Sequence, residues 1–527
     1  MQSFDVGPVD LTILVVYLIS SRIIPLIFSA DQVGTDGYFL GGRSFLWPLV
    51  GLSLFATNMS GSSFVGLAGA GYNQGVSVYS YEWMAAIILI FFAIFLLPVY
   101  LNSKVFTVPE FLERRYDRRS RLAFSAFNVF TNVFIDCAAA LYAGGLVIRA
   151  LFPVIPLWMP VVGLALLAGV YAIFGGLWAV VVSDSIQACV LVLGAVTISV
   201  LTFRAVPSWK AVRDAAPPET LSIIRPASDP ALPWPGLVTG VLIVGIYFWC
   251  TNQLMVQRTL GAKNLDHGRW GALFAGALKL PVLFTMILPG TMALALYPNL
   301  SNPDLVWPTL AFDLLPVGLR GVVLAALVAA ITSSVDSVFN SASSIVTMDL
   351  VRTLRPGTSA RALTGVGRLT TGIVMIVAAA WAPQIQNFPT LWIYLQSILS
   401  YVVPPVVAVF LLGIFWSRIN RHGAFYTLVI GVPLGIVGFV VNEVFRLSSI
   451  QFLYASGISF AASCLVLVTL SLATEPPPED KTEGLTWKRA LWTAESRALA
   501  DRPFYLNYRY HALALILATA GMVIWWR

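Results

Sequence analysis

Charge is scarce in this chain. Only 11% of its 527 residues are Asp, Glu, Lys or Arg, against roughly 25% in an ordinary soluble domain. A soluble fold of this length needs more polar surface than that supplies. Histidine is scarcer still, at three residues, and the four cysteines (Cys137, Cys189, Cys250 and Cys464) lie in or beside apolar blocks. Their spacing matches neither a disulfide framework nor a metal site. The net charge is +7, yet no continuous basic face of the kind nucleic acid requires is visible. No paired carboxylate or nucleophile–base arrangement stands on a polar segment, so nothing points to an enzyme. Met1 to Asp10 holds two acids and no basic residue, so a cleaved secretory leader is not expected.

What is plentiful is hydrocarbon. The chain is 58% hydrophobic, with a mean hydropathy of +0.82. The apolar residues come in blocks of about twenty, the length that crosses roughly 30 Å of bilayer core. The reading is an all-α integral membrane protein with about fourteen transmembrane helices. They include 11–28, 44–71, 78–100, 153–174, 307–349, 390–415 and 507–526. The block 307–349 is too long for one straight crossing and is expected to include a surface segment before Gly318 or to be a tilted helix.

Loop charge gives the orientation. Lys104, Arg114, Arg115, Arg118, Arg119 and Arg121 crowd one loop. Arg352, Arg355, Arg361 and Arg368 follow the ninth span, and Arg418 and Arg421 the eleventh. With fourteen crossings all three loops share one side, made cytoplasmic by the excess of Lys and Arg. Both termini then face outside. The Pro-rich loop 204–233 is extracellular, and 474–506 is a cytoplasmic connector. Trp487 and Trp492 in that connector suit either a helix resting at the membrane interface or one packed on the protein.

Several spans are poor as plain lipid-facing helices. Thr57, Asn58, Ser60, Ser62 and Ser63 cluster near the middle of 44–71. Small residues alone can serve close helix packing. Gly61 among hydroxyls also permits a broken helix, whose opened carbonyls can bind a cation. A second cluster, Thr332, Ser333, Ser334, Asp336, Ser337 and Asn340, supplies further hard oxygens, the donors sodium prefers. Besides Asp336, deep charges are few: Glu82, Asp136, Asp184 and Lys279. Each is costly in a bilayer unless paired or hydrated. Glu82 with Lys279 is the first pair to expect.

In this setting several segments resemble the sodium/solute symporter family over about residues 11–473. They are Asp36–Arg43 (DGYFLGGR), Phe106–Arg115 (FTVPEFLERR), Gly175–Gln187 (GGLWAVVVSDSIQ) and Asn252–Leu260 (NQLMVQRTL). Ser80–Met84 (SYEWM), Ala330–Ser334 (AITSS) and Phe339–Ser343 (FNSAS) are most similar to the sodium/glucose and sodium/galactose branch. The resemblance implies a LeuT-like core of two inverted five-helix repeats, here 44–203 and 234–415, with the first helix of each broken. Around them it leaves a peripheral span in 1–30, peripheral spans in 416–473 and a last span in 507–527.

The resemblance also implies site residues. Sodium is expected at the carbonyls of Ala56, Met59 and Ala330 and the hydroxyls of Ser333 and Ser334. A second cation site in some members resembles Asp184 with the Ser333–Ser334 neighbourhood, and Asp336 is an added acid close by. Glu82, Lys279 and Gln396 match groups that contact sugar hydroxyls, with Ser63 and Trp249 beside them and Phe248 at the inner gate. Three positions depart from the bacterial galactose pattern: Ser63 for Gln, Gly245 for Asn and Phe248 for Tyr. The implied activity is sodium-driven symport of a hexose such as glucose or galactose by alternating access. An inositol, another polyol or another small polar solute is the alternative. The implied partners are sodium, the solute and the lipid bilayer of a bacterial plasma membrane, with no obligate protein partner indicated.

Overall fold

The computed structural model describes residues 7–28, 41–105, 107–152, 154–172 and 177–527. Side chains at 18, 21–28, 41, 151, 169–172, 177–184, 188, 360 and 364 lie outside the description. So do most of Asp36–Arg43, Phe106, the start of Gly175–Gln187 and the side chain of Asp184.

The described chain is helical, with two isolated β-bridges, Phe45 to Ala262 and Arg225 to Pro233. Among the described residues nine helical stretches are long and apolar enough to cross a bilayer. The pair Leu391–Val402 and Pro404–Phe415, bent by 55°, makes a tenth if counted as one crossing. The expectation of about fourteen is therefore corrected downward.

The difference has identifiable causes. The block 44–71 is not one helix: Trp47–Asn58 stops after 12 residues, too short to cross. Its second half shares with 78–100 the 43-residue helical stretch Gly61–Ser103, which is interrupted at Gly75 with φ +79°. The described apolar parts of 11–28 and 153–174 are the shorter helices Pro8–Tyr17 and Trp158–Ala168. Tyr508–Trp525 begins with the polar turn Tyr508, Arg509, Tyr510, His511 and is not among the nine. In 390–415, Pro404 and Pro405 withhold two N–H donors and the helix bends there. Gly318, at φ +89°, separates the helix Val306–Leu314 from Leu319–Ser344, as the length of 307–349 suggested.

Two interruptions shape the interior. At the first, Met59 N–H still bonds Phe55 O, and Ser63 and Phe64 N–H restart the ladder on Ser60 O. The carbonyls between them fall in the gap. At the second, the stretch Trp234–Thr251 ends in extended Asn252, whose side chain caps Gln253–Leu260 by accepting from Leu254 N–H at 2.8 Å.

Small residues let the helices close around these breaks. A Cβ on Gly61 would sit 2.0 Å from Ile331 Cγ1, and one on Gly144 2.8 Å from Ile331 Cγ2. Ile331 of the 319–344 helix is thus wedged between the broken helix and Ala138–Leu151. A Cβ on Gly71 would lie 2.4 Å from Ile287 O, and one on Gly290 2.2 Å from Ala68 O.

Candidate functional site

A cavity of about 140 Å³ opens where the broken helix meets its neighbours. Ala56, Asn58 and Ser63 line it from the break, and Ala330 and Ser334 from the 319–344 helix. Glu82, Lys279 and Gln396 join them from three further helices. Phe248 and Trp249 close one side, with their rings edge to face at 5.3 Å.

The charges inside are paired. Lys279 is 0% exposed and Glu82 3%, and Lys279 Nζ donates to Glu82 Oε2 at 2.7 Å. It also donates to Asn58 Oδ1, and it lies 5.3 Å from the Trp249 ring centre. The ammonium therefore joins the broken helix to Tyr79–Phe91 and Leu265–Lys279. A buried ion pair recovers its desolvation cost only with such further partners.

The residues expected at the sodium site separate into two groups. Ala56, Ala330 and Ser334 line the cavity. Met59 and Ser333 are buried beside it without lining it. Ser334 Oγ donates to Ala330 O at 2.8 Å, so two of the expected oxygens already meet. Gly61 packed on Ile331 brings the two polar clusters against each other. Asp336 is buried but does not line the cavity.

The three departures also have geometry. Ser63 Oγ donates its proton to Asn58 O at 2.5 Å, inside the break. A Cβ on Gly245 would stand 2.3 Å from Ile88 Cδ1, so Ile88 occupies the space a longer side chain would need. Phe248 presents an aromatic face without a hydroxyl.

The structure adds groups that sequence reasoning did not put in the site. Asn58 stood in the polar cluster without a role; it is a partner of Lys279. Asp136 was known only as a deep charge, and it lines the cavity. Trp392 lines it one helical turn before Gln396, and that i, i+4 spacing was the available signal. Among the described residues Asp136 Oδ2, Gln396 Oε1 and Trp392 Nε1 have no hydrogen-bond partner, although most buried polar atoms have one.

The chain as a whole has counterparts. The profile of the Sodium:solute symporter family matches residues 38–431. The human sodium/myo-inositol cotransporter 2 is 36% identical, over 91% of this chain and 79% of its own length. The zebrafish sodium/glucose cotransporter 4 is 32% identical, over 94% and 82%. The relatives thus divide between inositol and glucose cotransporters, so the narrower glucose and galactose branch expected from Ser80–Met84 is not singled out. A substrate-bound, outward-open Na+-coupled sialic acid symporter has the same fold, with a TM-score of 0.76 at 23% identity over 90% of this chain and all of that one. A nucleobase-cation-symport-1 transporter follows at 0.54 and 13%, over 86% and 99%. The chain belongs to the sodium:solute symporter family: it is a multi-pass transporter of a plasma-type membrane, not an enzyme, and it couples the passage of a small polar solute to sodium.

Proposed function

We propose that the solute is a neutral cyclic polyol of the inositol kind. The observation that carries this is the state of Lys279. It is the one basic side chain among the described residues lining the cavity, and it is already held by Glu82 and Asn58. An anionic solute would face two carboxylates, Glu82 and Asp136, with no free cation. A polyol brings hydroxyl donors to a wall rich in acceptors. The sodium/myo-inositol cotransporters of human, at 36% identity, and pig, at 35%, support the same class. A hexose is the second reading, favoured by Ser80–Met84 and by the glucose cotransporter relative.

In the proposed cycle sodium binds from outside at Ala56, Met59, Ala330, Ser333 and Ser334. It fixes the break against the 319–344 helix. The polyol then settles against Glu82, Lys279, Gln396 and Ser63, with Trp249 beside it and Phe248 as inner gate. The repeats 44–203 and 234–415 rock to face inward, sodium leaves, and the polyol is released. A second sodium near Asp184, Ser333 and Ser334 would raise the stoichiometry to two. Both termini face outside, and the bacterial plasma membrane is the proposed location.

One charge crossing 100 mV supplies about 2.3 kcal/mol, and a tenfold sodium gradient about 1.4. One sodium thus supports a polyol gradient of several hundredfold. The test is uptake into proteoliposomes of inositols, hexoses, amino acids and carboxylates, with and without a sodium gradient. Sodium-dependent uptake led by an inositol is expected. Uptake led by an amino acid or a carboxylate would overturn the proposal.

A further inference from the structure

Asp136 stands apart from the other charges of the cavity. Among the described residues it pairs with no basic side chain, and its Oδ2 has no hydrogen-bond partner. A carboxylate at this depth is costly, and such a group usually marks a site.

Its placement is built. Asp136 sits in a π-helical turn, Asn132–Cys137, between Arg118–Thr131 and Ala138–Leu151. The wider turn moves the register by one residue and frees carbonyls from the ladder. Phe134 O accepts from Tyr394 Oη, and Tyr394 Oη in turn accepts from Trp381 Nε1 at 2.8 Å. On the other side Asn132 Nδ2 donates to Ser341 Oγ at 3.2 Å. The turn is therefore tied to the Leu391–Val402 helix and to the 319–344 helix.

The tie to 391–402 matters, because Trp392 and Gln396 lie on that helix and also line the cavity with unused hydrogen-bonding atoms. Among the described residues the charged groups of the wall are Asp136, Glu82 and Lys279, and of these only Asp136 has no partner of opposite sign.

We infer that Asp136 is a specificity-determining residue, a carboxylate that accepts hydroxyl protons from the transported solute and shuts anions out. It receives one or two hydroxyls of a neutral polyol in the capacity that Oδ2 leaves open. The solute is thereby read from the π turn as well as from Glu82, Lys279 and Gln396. This role rests on the polyol reading and extends it to a further helix.

The test uses the full-length transporter in proteoliposomes, with myo-inositol and its single-deoxy analogues as probes. Asp136→Asn keeps the size and removes the charge. The half-saturating myo-inositol concentration is expected to rise about tenfold or more, the scale of one hydrogen bond to a charged group. At least one deoxy analogue should be weak in the unmodified protein and equal to the parent in the variant. A merely structural role would not produce that match. Sodium-induced thermal stabilisation, measured without solute, should persist in Asp136→Asn and shows that the variant is folded. Unchanged half-saturation, or the same analogue penalties in both proteins, would overturn the role of Asp136 and leave the polyol reading standing. Absence of sodium-dependent polyol uptake by the unmodified protein would overturn both.

Discussion

Two charged clusters in this molecule have opposite designs. At the connector 474–506, Glu495 of Arg489–Ala500 uses both oxygens: Oε1 meets Arg269, and Oε2 accepts from Arg509 at 3.0 Å and Tyr508 at 2.8 Å. Arg509 stacks 3.6 Å over Trp492, and Arg269 4.2 Å over Tyr508. Trp487 packs on Phe95 and Phe415, so the connector is held on the protein. In the cavity, by contrast, Glu82 and Lys279 meet while Asp136, Gln396 and Trp392 keep unused atoms. The first cluster ties one connector helix to two others. The second, among the described residues, leaves Asp136 Oδ2, Gln396 Oε1 and Trp392 Nε1 unpartnered at the cavity.

The largest expected effect comes from breaking the cavity pair. Lys279→Ala leaves Glu82 buried without its cation, which costs about 3–5 kcal/mol. Thermal unfolding in detergent should show that loss, and uptake should vanish. The double variant Glu82→Gln, Lys279→Met should recover most of the stability but no transport. If it transported normally, the pair would be a fastener like Glu495, and the contrast would fail.

Next comes Gly245→Asn, which places an amide where Ile88 now sits 2.3 Å from the would-be Cβ. Overpacking of this kind costs about 1–3 kcal/mol. Ile88 ends in a flexible group, so Ile88→Val should return part of the stability. Half-saturation for hexoses is expected to improve relative to myo-inositol in the double variant. An unchanged preference would remove Gly245 from the selectivity of the site.

Some of this was legible in the sequence. Glu82 and Lys279 are 197 positions apart, yet their pairing followed from two charges in apolar blocks that each needed a partner. The break at Met59–Ser60 was visible as hydroxyls and a glycine inside hydrocarbon. The number of crossings was not legible, because hydropathy reports apolar length and not helix continuity. It missed that Trp47–Asn58 stops after 12 residues and that Tyr508–Trp525 spends its first turn on polar residues. The position of Asp136 was hidden for another reason. A π turn shifts the face of every residue after it, and a 3.6-residue projection cannot place that side chain.

A smaller effect tests the sodium half of the cavity. Ser334→Ala removes the hydroxyl that bonds Ala330 O at 2.8 Å. A net hydrogen bond is worth about 1 kcal/mol, so the sodium concentration for half-activation of uptake should rise about fivefold. Half-saturation for myo-inositol, measured at saturating sodium, should move less. Unchanged sodium activation would show that Ser334 serves only helix packing.

The smallest effect on transport belongs to the connector. Burial pushes the Glu495 carboxyl up, but the charge of Arg269 and hydrogen bonds from Tyr508, Arg509 and Arg269 outweigh it, so the group lies below its ordinary value of 4.5. A carboxylate depressed in the fold contributes stability that is present above its unfolded value and lost as pH falls through the folded one. Thermal stability should therefore hold from neutral pH down to about 4.5 in its dependence on this group, then decline. Glu495→Gln should lower stability at neutral pH by about 1–2 kcal/mol, since hydrogen bonds to a charged group are the stronger ones, and should flatten the acid decline. Half-saturation for sodium and for myo-inositol should stay within about twofold, because both Glu495 oxygens are taken and the cluster lies outside the cavity. A large shift in either constant would mean that the connector takes part in the cycle, and the two clusters would no longer differ in kind.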